Sequence, residues 1–509
     1  MRTDVTLGEE PTPVLPRRTR PTLVLAFLAL AGVVFAMLQS LVAPALPVIA
    51  GELSVSTADI SWLVTAYLLA AAIATPVAGR LGDMFGRRRV LLIVLGVLAV
   101  GTLVAALAET LPVLVTGRVL QGAGGAILPL AFGIVRDTLP PKRVGIAVGL
   151  LSALLGTGGG LGTVLAGPIV ATLNWHWLFW FPLILIALAM AGVAFGVPAL
   201  PVRAPGRIDV PGVLLLSAGL VCLLLALSKG GGWGWASGLT LGLFGGAAVT
   251  LAAWVAVELR VRVPLVDMRM FAGRGVWTTN LAGTAFGVVT FGSFLLVPLL
   301  LQLPTATGYG LGKSVSEAGL FLLPATVAMV VFAPLSGALN RRFGAKLPLV
   351  TGILMATSSF ALLAVAHDVA WHILTAVTLM GIGIGLASAA MTNAILATVP
   401  PSQTSVATSI NTLARTIGGS IGTAVLAAVL SANTSQGIPT EAGFTVSFWI
   451  CSGVLVLAVL AALALPTRRH RDNPGPRSET PPEPITSAGA DLTRACRPWR
   501  PPAGPRPRG

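Results

Sequence analysis

The chain has 509 residues, of which 55% are hydrophobic and only 10% charged, and its mean hydropathy is +0.88. Such a composition leaves too little polar surface to cover a water-soluble core, which excludes a soluble globular enzyme or binding module. The formal net charge of +15 suggests either nucleic acid or a membrane surface as a partner, and its distribution along the chain decides between them.

Fourteen apolar stretches follow one another between residues 22 and 465, each close to the ~20 residues that a helix needs to cross the hydrocarbon core. Charged or Pro/Gly-rich breaks separate them. The predicted spans are 22–43, 58–79, 90–108, 111–135, 144–171, 177–197, 211–228, 237–257, 276–303, 316–339, 347–366, 370–398, 404–430 and 442–465. The seventh is the shortest. The sequence therefore predicts an all-α integral membrane protein.

The basic residues fall almost entirely on one predicted side of the membrane. If the N-terminus is cytoplasmic, the tails and cytoplasmic loops hold every Lys and Arg except Arg118, Lys229, Lys313 and Arg415. This is the positive-inside pattern for an even number of spans, and it predicts a plasma-membrane protein with both termini in the cytoplasm. The basic charge is thus matched to anionic inner-leaflet lipid, and we predict no nucleic-acid partner.

The segment GRLGDMFGRRR, residues 79–89, connects the second and third spans. Its glycines allow a tight turn, and its acid lies at a helix end, within reach of neighbouring arginines and of a facing helix N-terminus. Such a charge-assisted contact can form in one orientation of two halves and break in the other. We interpret the segment as a conformational latch made by Gly79, Asp83, Gly86, Arg87 and Arg88. A loop that only sets topology is the alternative.

The fourth span carries an arginine in the segment GRVLQGAGGA, residues 117–126. Arg118 and Gln121 lie three residues apart on one helical face, while Gly122 and Gly125 permit close contact with another helix. An arginine at this depth costs about 2.5–3.5 kcal/mol on insertion scales, so it should face a polar cavity or a partner. We assign Arg118 and Gln121 to the substrate or proton pathway, with a structural hydrogen-bond hub as the alternative.

A weaker copy of the latch segment, GALNRRFGAKL, occupies residues 337–347. Three positions correspond with one constant offset: Gly79 with Gly337, Leu81 with Leu339, and Gly86 with Gly344. Two repeats of six helices with an extra helix pair between them are the plan of a transporter whose halves move around a midplane site. The predicted domains are a cytoplasmic tail (1–21), a six-helix bundle (22–197), a linker with two extra membrane helices (198–275), a second bundle (276–465) and a disordered Pro/Arg-rich cytoplasmic tail (466–509).

Polar side chains in other spans extend the candidate pathway. Arg415 lies one turn after Asn411 in the thirteenth span, although an arginine near a helix end can also snorkel to the surface. Gln39, Asn280 and Asn393 lie in the first, ninth and twelfth spans, where interhelical hydrogen bonding is the alternative role. The sequence shows neither a Ser-His-Asp arrangement nor metal-ligand spacing, and we predict no enzyme activity, metal or cofactor.

Several of these stretches resemble a known family. The 79–89 segment is similar to the signature loop of the major facilitator superfamily, and the 117–126 segment to its fourth-helix motif. RIDVPGVLLLSAGLVCLLLALSKGGGWGW (207–235), VPLVDMRMFAGR (263–274) and SINTLARTIGGSIGTA (409–424) narrow the resemblance to the fourteen-helix drug:proton antiporters. The resemblance implies the major facilitator fold and places Gln39, Asn280 and Asn393 on helices that line the cavity.

The family resemblance also implies a function: secondary active export of small lipophilic drugs or antibiotics by alternating access, with protons as the coupling ion. Two alternatives are an exporter or facilitator of a natural product or lipid-like metabolite, and a non-transporting sensor or scaffold. Antiporters of this family carry an acid in helix 1, whereas MLQSLVAPALP (37–47) has Leu38 in its place.

No Asp or Glu lies deep in a predicted span, so a proton carrier is expected at a helix end, such as Glu109, Asp137 or Glu258, or in the network around Arg118. The deep charges are instead positive, those of Arg118 and Arg415. The cavity is therefore predicted to favour neutral or anionic amphiphiles over cations.

Overall fold

The computed structural model describes residues 21–198, 209–261, 264–435 and 438–464. The predicted N-terminal tail before Pro21 and the predicted disordered tail at 466–509 lie outside the described residues.

Fourteen of the described helices are long and apolar enough to cross a membrane, as the sequence predicts. In chain order they are α1 Pro21–Glu52, α2 Trp62–Phe85, α3 Arg87–Ala106, α4 Leu111–Thr138, α5 Pro141–Thr172, α6 Trp177–Gly196, α7 Val210–Trp233, α8 Gly238–Glu258, α9 Arg274–Gln302, α10 Glu317–Phe343, α11 Lys346–Val365, α12 Ala370–Thr398, α13 Pro401–Ala432 and α14 Glu441–Leu463. Short helices at Thr57–Ile60 and Met268–Phe271 and a two-stranded antiparallel pair, β1 Thr434–Ser435 and β2 Ile438–Pro439, lie in the connections.

Several boundaries differ from the predicted ones, and three of these differences have a clear local cause. Helix α1 continues to Glu52 instead of ending at 43, because Pro44 and Pro47 are accommodated inside it. Helix α2 begins at Trp62, after a separate one-turn helix whose first N–H groups are capped by Ser56. The seventh span is longer than predicted, since α7 continues through its glycine-rich end to Trp233.

The two corresponding latch segments have the same turn geometry. Gly86 between α2 and α3 has φ 96°, and Gly344 between α10 and α11 has φ 79°. A side chain is strained in this left-handed region, so both turns depend on glycine. The internal repeat inferred from the sequence is thus also a repeat of backbone conformation.

Each set of six helices contains its own buried apolar cluster. One cluster is built from α1–α6, with Leu396 of α12 at its edge, and the other from α9–α14. We call α1–α6 the first half, α9–α14 the second half, and the surface on which they meet the seam. Helices α7 and α8 belong to neither cluster.

The extra helix pair lies at the edge of the seam. Leu216 and Leu220 of α7 share a buried cluster with Ala72 of α2 and Ile410 of α13, so α7 packs against both halves. Helix α8 is far more exposed, because only 11% of its most hydrophobic stretch is buried, against 83% in α4. Its apolar surface is therefore left for lipid.

Candidate functional site

Asp83 joins the two halves at the side of the molecule that carries the α2–α3 and α10–α11 turns, which we call the arginine-rich side. Its carboxylate accepts hydrogen bonds from the N–H groups of Val406 at 3.1 Å and Ser405 at 3.4 Å, in the first turn of the α13 helix. It also accepts from Arg87 Nη2 at 2.7 Å. A helix N-terminus offers free N–H groups and a positive dipole end to such an anion. Both partners, the arginine and the facing helix N-terminus, are those that the sequence predicted.

Arg87 lies between two acids and crosses the seam as well. Within its own half it binds Asp83 and Asp137. Across the seam it donates to Ser405 Oγ at 2.9 Å and to the carbonyl of Pro401 at 2.6 Å. Only 7% of Arg87 is exposed, so these contacts form in a water-poor environment, where charge-assisted hydrogen bonds are strong.

A second arginine, which the sequence analysis did not single out, closes the seam beside the first. Arg136 at the end of α4 donates to Thr404 Oγ1 at 2.6 Å and to the carbonyl of Val399 at 3.0 Å. The sequence feature that could have indicated this role is the position of Arg136 beside Asp137 at a helix end. Arg88, by contrast, donates to the carbonyl of Ala194 in its own half. We call the cross-seam contacts of Asp83, Arg87 and Arg136 the clasp.

Gly79 serves a different purpose from the predicted one. It lies within α2 rather than in the turn, and a methyl group there would collide with Ser409 Oγ and approach the Ser405 carbonyl to 3.1 Å. Its counterpart Gly337 in α10 meets the backbone of Gly145 in α5 just as closely. Each of the two glycines therefore permits a tight helix crossing with the opposite half.

Arg118 is enclosed in the first half. Its guanidinium donates to the carbonyl of Leu63 at 3.1 Å, the carbonyl of Leu38 at 3.2 Å and Gln121 Oε1 at 2.7 Å, and it stacks over the Tyr67 ring at 4.2 Å. These contacts tie α4 to α1 and α2. Backbone carbonyls and an aromatic face thus take the place of a carboxylate partner.

Leu38, which stands where the family carries an acid in helix 1, belongs to the Arg118 network through its backbone carbonyl. Leu38 is fully buried in the cluster of the first half, so its side chain faces neither lipid nor an open cavity. Gln121 donates onward to Thr102 Oγ1 at 3.1 Å and extends the network to α3. Gly122 and Gly125 approach α2 closely, as predicted.

The remaining candidate residues form separate groups. Asn411 Nδ2 donates to Asn280 Oδ1 at 3.1 Å, and the Arg415 guanidinium lies 5.8 Å from the centre of the Phe286 ring, all within the second half. Asn393 reaches the carbonyl of Gly145 across the seam at 3.4 Å. Gln39 is half-buried in α1 and makes no hydrogen bond with the described residues. The predicted pathway residues therefore do not converge in this conformation.

A small apolar pocket lies on the seam, away from these groups. Gly160 of α5 faces side chains of the second half there, among them Phe294, Thr326, Met329 and Met380. Two glycine-rich stretches of the sequence, 156–162 and 381–385, each contribute a glycine to the lining.

Comparison with known proteins places these features in a wider context. The sequence profile of the Major Facilitator Superfamily matches residues 28–423 and 282–505. The tetracenomycin C resistance and export protein of Streptomyces glaucescens is 33% identical over 405 residues, 79% of this chain and 74% of the relative. The multidrug transporter protein MdtP of Bacillus subtilis is 30% identical over 397 residues, 77% of this chain and 72% of the relative.

A solved structure is similar in fold. The crystal structure of the human organic anion transporter MFSD10 matches with a TM-score of 0.60 and 17% identity, covering 88% of this chain and 100% of the other. At this identity the similarity concerns the arrangement of the helices alone.

Proposed function

The chain belongs to the Major Facilitator Superfamily, among its drug exporters, and from this membership we propose that it exports small lipophilic compounds by alternating access, in exchange for protons. We further propose that the arginine-rich side faces the cytoplasm and that both termini lie there, in line with the positive-inside rule. Its similarity to the tetracenomycin C export protein supports antibiotic-like natural products as the first substrates to test.

The clasp is the observation that carries the proposal. Its charged groups lie on α2, α3 and α4, while their partners lie at the end of α12 and the start of α13. Contacts of this kind hold only while the halves are closed on this side, so they bias a two-state equilibrium. We infer that the described conformation is the state closed towards the proposed cytoplasmic side.

The apolar pocket supports the proposed substrate class. The described residues of its lining include methionine, leucine and phenylalanine side chains, and none of them is charged. A cation buried there would lack a compensating carboxylate, which makes its transfer from water costly. We therefore propose neutral lipophilic compounds as the preferred cargo, ahead of organic cations.

Transport by the purified chain in proteoliposomes tests the proposal. We expect an acidic lumen to drive uptake of tetracenomycin C, or of a neutral lipophilic compound from a diverse panel, into vesicles with the cytoplasmic side outward. Asp83→Asn should reduce this uptake, whereas Arg341→Ala, at the corresponding position of the second half, should reduce it less. If no compound responds to the gradient in a protein shown to be folded, the chain is not a proton-coupled exporter. Strong export of a cationic dye would contradict the proposed substrate class.

A further inference from the structure

Two buried carboxylates meet where the extra helix pair reaches the arginine-rich side. Asp209 caps α7, its Oδ1 accepting from the N–H of Gly212 at 3.0 Å. Glu258 ends α8, with Oε1 accepting from Trp254 Nε1 at 2.8 Å and Oε2 from the N–H of Val266 at 3.2 Å. Asp209 is 8% exposed and Glu258 only 3%.

One oxygen atom of each carboxyl group lies close to Gly212. A methyl group built on Gly212 would lie 2.9 Å from Glu258 Oε1 and would collide with Asp209 Oδ2, so both oxygens face the same point on α7. Asp209 Oδ2 is buried and has no hydrogen-bond donor among the described residues. An orphaned carboxylate oxygen that shares a buried site with a second carboxyl group is an arrangement that a shared proton would satisfy.

No cation balances the pair among the residues that the structure describes. Neither acid has an Arg, Lys or His within ion-pair distance in those ranges, and the nearby Arg260 is exposed. Asp267, the other acid of this region, caps the short helix after it by accepting from the N–H of Arg269. Two buried anions with no counter-cation among the described residues are disfavoured, and one proton between them lowers that cost.

We propose that Asp209 and Glu258 form a proton-binding carboxyl pair whose occupancy is coupled to the clasp. In the closed state the pair holds one proton between Asp209 Oδ2 and Glu258 Oε1. When the halves open on this side, water reaches the pair and the proton leaves to the cytoplasm. The side of release rests on the function proposed above.

The coupling has a physical path through α13. The 264–267 segment that donates to Glu258 packs its Leu265 and Val266 side chains into the same buried cluster as Val406. The N–H of Val406 is in turn the closer backbone donor to Asp83. Separation of α13 from α2 therefore disturbs the buried cluster that contains Val266, the backbone donor to Glu258. The carboxyl pair and the Asp83 contact thus both bias the position of α13.

Other acids on this side titrate too, so the test must separate them from the pair. Asp83 and Asp137 are both paired with Arg87, and Arg136 lies next to Asp137. Glu258→Gln and Asp209→Asn leave all of these groups intact. Asparagine also remains a good N-cap for α7, which limits damage to the fold. Asp368→Asn, exposed in the α11–α12 connection, is the matched control.

Infrared difference spectroscopy of the purified protein detects the proton directly. Between about pH 8 and about pH 5, which brackets the titration of buried carboxyls, the parent should show a protonated carboxyl band. We expect Glu258→Gln and Asp209→Asn each to remove a component of that band, and Asp368→Asn to keep it. If both variants keep the full band, the pair does not bind the proton.

Opening of the clasp can be followed without any substrate by a pair of spin labels. The labels are attached to Arg89→Cys and Arg342→Cys, in a background without Cys222, Cys451 and Cys496. Raising the pH should increase the open-to-closed ratio by up to about tenfold per pH unit, the limit for one linked proton. Glu258→Gln should abolish most of this response, and an unchanged response would overturn the coupling. A parent that shows both signals yet fails the transport assay would refute the proposed export function and leave the proton site intact.

Discussion

Asp83→Asn gives the sharpest test of the clasp, because it removes one charge and changes little else. The Arg87–Asp83 contact joins α2 and α3 within one half, so separation of the halves does not require it to break. The hydrogen bonds from Ser405 and Val406 cross the seam and belong only to the closed state.

The size of the effect follows from these two bonds. A hydrogen bond to a charged group contributes about 1.5–3 kcal/mol and a neutral one about 0.5–1.5 kcal/mol. Asparagine keeps one acceptor oxygen, so we expect the closed state to lose about 2 kcal/mol relative to the open state. This corresponds to a roughly 30-fold change in the closed-to-open ratio.

Alkylation of a buried cysteine measures that ratio. Ser409→Cys, placed under the α2–α13 crossing in a cysteine-free background, should react with a membrane-impermeant maleimide only when the seam opens. With fast opening, the labelling rate follows the open population, so Asp83→Asn should raise it about 30-fold. Arg341→Ala is the control, because it removes only an exposed contact to the carbonyl of Lys142. A labelling rate in Asp83→Asn within about twofold of the parent would refute the reasoning, since the bonds across the seam would then contribute almost nothing.

Three further predictions concern stability and topology. Arg118→Ala should lower the free energy of unfolding by about 3 kcal/mol. Arg118→Lys should lower it by an intermediate amount, because lysine lacks the planar guanidinium group. Melting temperatures of the variants equal to that of the parent would contradict this prediction. Gly86→Ala should cost about 1–2 kcal/mol through its left-handed φ, whereas Gly51→Ala, which has open space around it, should cost less in the same melting assay. Alkaline phosphatase fused at Gly86 should be inactive and at Gly234 active, and the reverse pattern would invert the proposed topology.

The sequence predicted the helices well because a membrane span is a local signal of length and hydropathy. It also predicted the partners of Asp83, since an acid and arginines at a helix end have few alternatives. The repeat indicated the two turn glycines, whose unusual φ requires that residue type.

What depends on packing between distant helices was not predictable. The position of Gly79 in a helix crossing follows from α13, more than 300 residues away in sequence. The enclosure of Arg118 by backbone carbonyls leaves no trace in side-chain patterns, because every residue carries a carbonyl. The meeting of Asp209 and Glu258 also depends on packing. One residue lies at the start of α7 and the other at the end of α8, and no sequence pattern connects them.

The two helix crossings made by Gly79 and Gly337 are alike, but the Asp83 contact supports only one of them, since Arg341 stands where the second acid would be. A protein with acids at both positions would hold its closed state more firmly and would spend longer in it during each cycle. In this chain the second crossing is held instead by hydrogen bonds to backbone carbonyls, from Arg341 to Lys142 and from Asn393 to Gly145. Restoring the symmetry with Arg341→Asp should therefore lower the rate of the transport cycle.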